Sequence, residues 1–586
     1  MAEQSSEPTQ SNASGDFLAG DSLLAELMQM VSAFWASRER NKLLMLAAAL
    51  VAVVGATAYE QIQLNAWNRP FYNALTNKDM AAFLGQLGVF AELAGILLVL
   101  NVAQMWLNQT YKVVLRQGLV HDLLNEWLVP LRAFRLSYVR EIGANPDQRL
   151  HADAQHLTEL TTDLGIGLLQ STLLLASFIG VLWVHSRGIV LSFAGHSFRP
   201  PGYMVWCALF YAGTASFFSW RVGRPLIALN AEHYARESEL RFSLVHVNEE
   251  IESIAIYGGE ADEKKYINRI FETVIEISRR IVGAVTRLTW ITAGYGWFTI
   301  VAPILVAAPG YFFGKMSFGE LMLIVGAFNQ VQQSLRWFVD NFSSIADWRA
   351  TLLRVASFRR AMQATDKLGH TANRIALEET GGQSIHFDDL KIAAPTGSIT
   401  LSEAHLDLNP GERVLIVGER GVGKTLLFRA IVGLWPWGSG RITHPARRSM
   451  MFMSARAYIP PGTLRTAVTY PHSAGIFKDA DITEALTGVG LERLLPMLDQ
   501  VDRWDRRLND DEKQCLVFVR VILQKPRWVV LDGAFDVLDP LSRKRIEMIF
   551  KGPLADVGLI NISRNGTYNP FYTRTLHVVR DCLKTH

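Results

Sequence analysis

The run Gly418-Glu419-Arg420-Gly421-Val422-Gly423-Lys424-Thr425 fits the spacing G-x-x-x-x-G-K-[ST], whose chemistry is the capture of phosphate groups. Gly418, Gly421 and Gly423 let backbone N–H groups close on phosphate oxygens, Lys424 reaches the terminal phosphates, and Thr425 is placed to hold Mg2+. A strand-like apolar run, Val414 to Val417, precedes the loop. A helix-like run from Leu426 to Leu434 follows, so bound phosphates would meet a helix N-terminus. Downstream, the strand-like WVVLD of residues 528–532 ends on Asp532, which can hold the Mg2+ shell through water. The predicted nucleotide site is therefore the backbone and side chains from Gly418 through Leu426, with Thr425 and Asp532 facing the metal.

The elements that must carry this loop are of two kinds. Of 586 residues, 49% are hydrophobic and 15 are Trp, and the mean hydropathy is +0.14. This exceeds what ordinary soluble chains show. The apolar excess lies in the first 340 residues, in windows near 43–59, 87–107, 164–184, 203–220, 289–313 and 318–338. Each approaches the ~20 residues that cross ~30 Å of hydrocarbon as a helix, which predicts six spans with both ends on one side. Basic residues precede the first window (Arg38, Arg40, Lys42) and crowd the connections 108–163 and 221–288, but are sparse in the others. By the positive-inside tendency, the ends and the long connections are cytoplasmic. The expected setting is a membrane, with the phosphate loop on its cytoplasmic side.

Other features narrow the reading. Residues 1–37 form a polar tail without the charged start and cleavage site of a removable signal. A net charge of +3 gives no reason to expect a nucleic-acid partner. Cys207, Cys515 and Cys582 match neither a metal-ligand spacing nor a disulfide framework. The last window is interrupted by Glu320, Asn329, Gln330, Gln332, Gln333 and Arg336, groups that are costly against lipid and are expected to face a hydrated cavity. Glu320, Gln330 and Arg336 are the candidate translocation residues. Glu92 and Asp163 are single charges in or near spans, each a proton or substrate site or a helix-packing partner. The stretch 221–288 predicts long cytoplasmic helices broken at Gly258 and Gly259, where a turn could form a short coupling element. The organisation expected is a tail to 37, a membrane domain over 38–345, a connector over 346–380 and an α/β domain over 381–586.

Five stretches together carry a family resemblance: LNAWNRPFYNAL (64–75), YKVVLRQ (111–117), ANPDQR (144–149), EEIESIAIYGGE (249–260) and GERGVGKTLLFRAIVGLWPWGSGRI (418–442). The chain resembles an ABC half-transporter of the SbmA/BacA-like branch, related to bacterial permease/ATP-binding fusions and to peroxisomal fatty acyl-CoA transporters. The resemblance implies an exporter-like helical bundle of six spans, a P-loop ATP-binding domain, ATP and Mg2+ as cofactors, and a second half-transporter as partner, most simply another copy. It also implies a lipid setting and a cargo of peptides, antimicrobial ones included, or other bulky hydrophilic molecules.

Against that family pattern, the positions that serve hydrolysis have changed. Gly533 stands where the family places the glutamate that polarises attacking water, and glycine has no group to accept a proton. Ala455 aligns with the family's glutamine, and Arg564 with its phosphate-sensing histidine. The LSGGE-type loop reads LNDDE (508–512), with Asp510 and Asp511 in place of small residues. Carboxylates brought near a triphosphate repel it, by about 4 kcal/mol for one unit pair at 4 Å and an effective dielectric of 20. Binding with impaired cleavage is the expectation, and rescue by Glu512, Glu419 or a substrate-positioned water is the alternative. Three functions stay open: an ATP-driven carrier, a gradient-driven carrier with a structural or gating nucleotide domain, and a non-transporting nucleotide-sensing receptor.

Overall fold

The computed structural model describes residues 28, 35, 38–136, 146–186, 191–193, 196–198, 201–312, 316–367, 374–394, 397–419, 421–563 and 569–581. Arg420, Arg564, Cys582 and most of the 1–37 tail lie outside the described residues. The chain divides into two compact units, one ending at Met362 and the other beginning at Gln363, with the short helix Arg132–Leu136 belonging to the second.

The first unit is helical. Its long helices are α1 (Arg40–Thr76), α2 (Met80–Trp127), α3 (Ala154–His185), α4 (Tyr203–Glu249), α6 (Glu260–Phe312), α7 (Phe318–Asp340) and α8 (Phe342–Lys367), with the short α5 (Ile251–Tyr257) between α4 and α6. Each apolar window falls within one of α1, α2, α3, α4, α6 and α7, apart from the end of the fifth, which reaches Phe313. By length and composition, four helical stretches can cross a membrane: Arg40–Thr76, Met80–Trp127, Pro146–His185 and Glu260–Phe312. Helices α4 and α7 do not meet that measure, because Tyr, Trp, Ser and Thr residues within 203–220 and the Asn329–Gln333 stretch of α7 lower their hydropathy. The exposed face fits lipid: Phe210, Trp290, Trp297 and Phe312 are 75%, 80%, 75% and 74% exposed, an apolar surface that water would not tolerate on an isolated soluble protein.

Helix boundaries follow local chemistry. Asp79 caps α2 by accepting from the Ala82 N–H at 3.0 Å. Helix α5 stops at Gly258, whose φ of 64° is left-handed and costs glycine nothing. The expected break is therefore present, and α5 is the short element it delimits. Helix α7 starts with a capping box, Ser317 accepting from the Glu320 N–H while Glu320 accepts from the Ser317 N–H.

Helix α7 packs on α1 through two glycines. A Cβ at Gly319 would lie 2.1 Å from the Arg69 carbonyl oxygen, and one at Gly326 would lie 2.1 Å from Asn65 Oδ1. That closeness lets Asn73 Oδ1 accept from the Gly319 N–H at 2.9 Å and Asn65 Nδ2 donate to the Leu323 carbonyl at 3.2 Å. Ile324, Ala327, Phe328 and Val331 fill the apolar centre with Leu174, Phe178 and Met204.

The second unit is built on one ten-stranded sheet. Its strands are β1 (Ala376–Glu379), β2 (Ile385–Ala394), β3 (Gly397–Leu401), β4 (His405–Leu408), β5 (Arg413–Val417), β6 (Gly438–His444), β7 (Met450–Ser454), β8 (Trp528–Asp532), β9 (Gly558–Ile562) and β10 (Arg574–Asp581). The order is β1-β6-β2-β3-β10-β5-β9-β8-β7, with β4 paired to β2. Strands β10, β5, β9, β8 and β7 run parallel to one another, while β10 pairs antiparallel with β3 and β2 pairs antiparallel with β3, β4 and β6. Parallel strands covered on both faces need continuous apolar runs. RVLIV, WVVLD and GLINI supply them: Val414, Ile416, Val529, Leu531, Leu559 and Ile560 are all buried. Burial of each such side chain stabilises the fold by about 1.5–3 kcal/mol. This arrangement brings the carboxyl ends of β5, β7, β8 and β9 to one edge.

Candidate nucleotide site

That edge holds the predicted phosphate loop. Strand β5 ends at Val417, and helix α9 (Lys424–Val432) begins right after the loop with Gly423 as its N-cap. Gly421 and Gly423 have φ of 80° and 104°, a region that side chains with a Cβ disfavour. The cradle is also tight. A Cβ at Gly423 would lie 2.2 Å from Ile399 Cδ1, and one at Gly418 would lie 3.0 Å from the Val578 carbonyl oxygen. Val422 is buried and anchors the loop to the sheet. The Lys424 ammonium curls over the loop, donating to the Gly418 carbonyl at 2.5 Å and to the Glu419 carbonyl at 3.2 Å.

Thr425 is exposed on the first turn of α9, with Leu426 partly buried behind it. Asp532 closes β8, two strands from β5, and its carbonyl accepts from the Ala455 N–H at 2.8 Å. Loop amides, an ammonium bonded across the loop, a hydroxyl in the first turn of a helix and a carboxylate at a strand end two strands away are group types that a Mg2+ nucleotide requires. The residues present fit the group.

The hydrolytic positions are also in place as positions. Gly533 N-caps α11 (Ala534–Val537) with φ 67°, and its N–H donates to the Ile562 carbonyl at 2.9 Å. A Cβ on Gly533 would touch the Ala455 methyl at 3.5 Å. The two sites that sequence reading marks as having lost their polar groups therefore face one another, with the Asp536 Oδ2 3.7 Å from the same Cβ position. Ser563, next to the undescribed Arg564, donates to Asp536 Oδ1 at 2.9 Å.

The LNDDE segment differs from its sequence reading in detail. Asn509 caps α10 (Asp510–Gln524) in a reciprocal box with Glu512, and the second oxygen of Glu512 pairs with Arg493. Both Glu512 oxygens are thus engaged in structure. Asp511 turns inward, accepting from the Asp539 N–H and the Ser542 hydroxyl; only Asp510, paired with Lys513 at 3.1 Å, stands outward. Of the expected pair of repelling carboxylates, one is spent on holding α10 to the loop before α12 (Pro540–Lys551). That role links residues 28 apart and leaves no local signal. Cys515, on the same helix, is buried, and burial pushes its thiol up to about 12, consistent with packing.

The three candidate cavity residues are spread along α7. Glu320 sits in the capping box and pairs with Arg69 at 3.0 Å. The Gln330 carbonyl accepts from Ser334, and Arg336 pairs with Asp340 at 3.4 Å. Sixteen residues separate Glu320 from Arg336, about 24 Å of helix, so the three do not form one cluster. Asp163 pairs with Lys112 at 2.7 Å, tying α3 to α2. Glu92 is exposed on α2. Among the described residues, no group of His, Cys, Asp and Glu is arranged to hold a metal by itself.

Comparison with known proteins agrees with this geometry. Residues 30–312 match the family model of ABC transporter transmembrane region 2, and residues 401–536 match that of the ABC transporter domain. The chain is similar to the inner membrane ABC transporter ATP-binding protein YddA of Escherichia coli (strain K12), at 26% identity over 93% of this chain and 96% of the relative. It is also similar to ABC transporter D family member 2, chloroplastic, of Arabidopsis thaliana, at 26% identity over 95% and 86%. ATP-binding cassette sub-family D member 3 of Homo sapiens is 25% identical over 78% and 72%. Among solved structures, a bacterial Atm1-family ABC exporter with ATP bound superposes with a TM-score of 0.70 over 90% of this chain and 91% of that one, at 15% identity. The fold is shared.

Proposed function

Because the chain is an ABC half-transporter, a membrane region fused to an ATP-binding domain, we propose that two copies assemble a transporter in a bacterial inner membrane, with the nucleotide domains in the cytoplasm. The reading places it in the SbmA/BacA-like branch and assigns peptides or other bulky hydrophilic compounds as cargo. The same reading gives the nucleotide domain retained binding and impaired cleavage. When bound, Mg2+ would supply charge neutralisation across the terminal phosphates. The chain's own residues do the rest: loop amides and Lys424 hold phosphate oxygens, and Thr425 and Asp532 hold the metal shell.

One observation carries the impaired-cleavage reading. Where a water would need a polarising group, the chain offers the Gly533 backbone and the Ala455 methyl, 3.5 Å from where a Cβ on Gly533 would be, beside the Asp536 carboxylate, whose Oδ2 is 3.7 Å from the same point and whose Oδ1 accepts from Ser563. A positioned base contributes about 10²–10⁴ to such a step, and neither Gly533 nor Ala455 can act as one. The deciding experiment is phosphate release by the full chain in lipid, beside Lys424→Ala. Slow turnover little above the variant, with nucleotide binding that the variant loses, supports the reading; fast cargo-stimulated turnover overturns it.

The same observation favours a second reading, in which an ion gradient drives transport and nucleotide occupancy only gates or stabilises the dimer. Uptake into vesicles that collapses with an uncoupler but survives Lys424→Ala would select it. Absence of any cargo flux would leave the nucleotide-sensing receptor.

A further inference from the structure

An open groove of about 470 Å³ runs between α4 and α6, and Tyr211, Phe218, Trp290, Gly294, Tyr295 and Phe298 are among its walls. Two contacts set the antiparallel register of these helices. A Cβ at Gly223 would lie 3.6 Å from Leu288 Cδ2, and the Tyr211 hydroxyl donates to the Tyr295 carbonyl at 2.5 Å while lying 3.0 Å from Thr299 Oγ1. The Tyr211 ring also meets Tyr295 edge-on at 5.6 Å, so the protein builds the floor of the groove by itself. Gly294 keeps the groove open, because a Cβ there would meet nothing within 4 Å. Phe218, Trp290 and Phe298 stand exposed along it. Such an apolar trough, on a helix long and apolar enough to cross a membrane, suits hydrocarbon rather than water.

A second, independent observation lies at one end of the trough. Arg287 precedes Trp290 by three residues and Gly294 by seven, so helical spacing puts it on the groove side of α6. Arg221, three residues after Phe218, holds the same place on α4. The register that sets Gly223 against Leu288 brings both to one level, with Arg224 a turn beyond Arg221. All three are exposed, and among the described residues none pairs with a carboxylate: Arg224 lies over the Trp220 ring at 5.9 Å, and Arg287 Nε donates to the Gly283 carbonyl at 3.2 Å. Neither 203–231 nor 277–312 contains an Asp or Glu. Compensation comes only further along, where Arg280 meets Glu232 at 3.6 Å. From Arg287 to Phe298 the helix rises ~16 Å, about half of a ~30 Å hydrocarbon core and so the depth of one leaflet. The basic end is the one that the positive-inside tendency puts in the cytoplasm.

We propose that the groove between α4 and α6 binds an anionic phospholipid of the cytoplasmic leaflet. Arg221, Arg224 and Arg287 take the headgroup phosphate, and an acyl chain lies in the aromatic trough over Gly294. Guanidinium groups match phosphate oxygens in charge and fork geometry, and long basic side chains reach the headgroup level while their stems stay in apolar surroundings. A free phosphate would answer the charge and leave the trough unfilled; a lipid answers both. Beyond the arginines α4 and α6 continue to the short α5 between them, so a lipid bridging Arg221 and Arg287 fastens this helix pair at the membrane face.

The test uses the full chain in detergent micelles, titrated with dioleoylphosphatidylglycerol or dioleoylphosphatidylcholine, with retained lipid counted by native mass spectrometry. Phosphatidylglycerol is expected to be retained about tenfold more strongly than phosphatidylcholine, and Arg221→Gln/Arg287→Gln to erase that preference. Gly294→Leu, which fills open space in the trough, is expected to abolish phosphatidylglycerol retention while the unfolding midpoint holds. Equal retention of the two lipids, a preference that survives the paired arginine substitution, or undiminished retention by Gly294→Leu overturns the proposal. Displacement of phosphatidylglycerol by millimolar inorganic phosphate would also overturn it, in favour of a free-anion site. So would oxidation of Trp290→Cys in the bilayer to a covalent dimer that the parent chain does not form, which would make the trough a contact between two copies.

Discussion

Asp511 and the backbone N–H of Asp539 are joined at 2.9 Å, and the Ser542 hydroxyl reaches the other Asp511 oxygen at 3.0 Å. This ties the start of α10 to the segment between α11 and α12. Asp511→Ala leaves the Asp539 amide and the Ser542 hydroxyl without their acceptor. A loss of about 1–3 kcal/mol is expected, read as a lower unfolding midpoint in differential scanning calorimetry. Asp511→Asn keeps one acceptor oxygen and should fall between; a neutral Asp511→Ala would show that the tie carries no stability.

Gly533→Glu restores a carboxylate only at a cost. The backbone there has φ 67°, which strains an L side chain by about 1–2 kcal/mol, and the new chain would approach Asp536 Oδ2, which is 3.7 Å from where its Cβ would be. The variant is expected to be less stable than the parent and to raise ATP turnover by less than about tenfold, short of the 10²–10⁴ a well-placed base gives. Steady-state phosphate release checks this, and a hundredfold gain would mean that the missing base alone limits the enzyme.

The two glycines of α7 predict unequal damage. Gly319→Ala drives a methyl into the Arg69 carbonyl oxygen, a backbone atom that cannot step aside. Gly326→Ala meets Asn65 Oδ1, a side chain that can rotate and give up its bond to the Leu323 carbonyl. Gly319→Ala should cost about 1–3 kcal/mol or more as overpacking, and Gly326→Ala nearer 1. Thermal unfolding of detergent-solubilised protein ranks them; the reverse order would refute this account of the α1–α7 contact.

The Arg465 ion-pair cluster is one source of acid sensitivity in the nucleotide domain. Arg465 forks onto Asp499 at 2.7 and 3.1 Å and also pairs with Asp479, and the guanidinium holds the Asp499 carboxyl below the usual carboxylate range. A depressed folded value means the stabilisation is present above the unfolded carboxylate range and is lost as pH falls through the folded value. The pair is solvent-exposed and the effect is modest. Arg465→Met should therefore lower the midpoint at pH 7 and narrow its drop between pH 7 and pH 3; an unchanged drop would remove the pair from the acid response.

Much of this was legible in the residues. The phosphate loop could be read because its spacing, its flanking runs and Asp532 all obey one mechanism. The helix break at Gly258 follows from local chemistry in the same way. Helix lengths were less legible: the apolar windows mark only the parts of α1, α2, α4 and α6 that suit hydrocarbon, while polar residues continue the same helices well beyond. Glu320 was read as a cavity charge, although Ser317-x-x-Glu320 is a capping-box spacing that could have shown its local bonds. The inward turn of Asp511 depends on which segments the sheet brings together, and no periodicity announces it.

Strand β10 lies beside β5, and its Val578 carbonyl limits the room at Gly418. The strand that presents the phosphate loop therefore acquires one of its two neighbours from residues 574–581, made some 150 residues later. A ribosome must have passed Asp581 before the cradle has its full shape. Nascent chains should thus reach the membrane with the nucleotide site still unfinished.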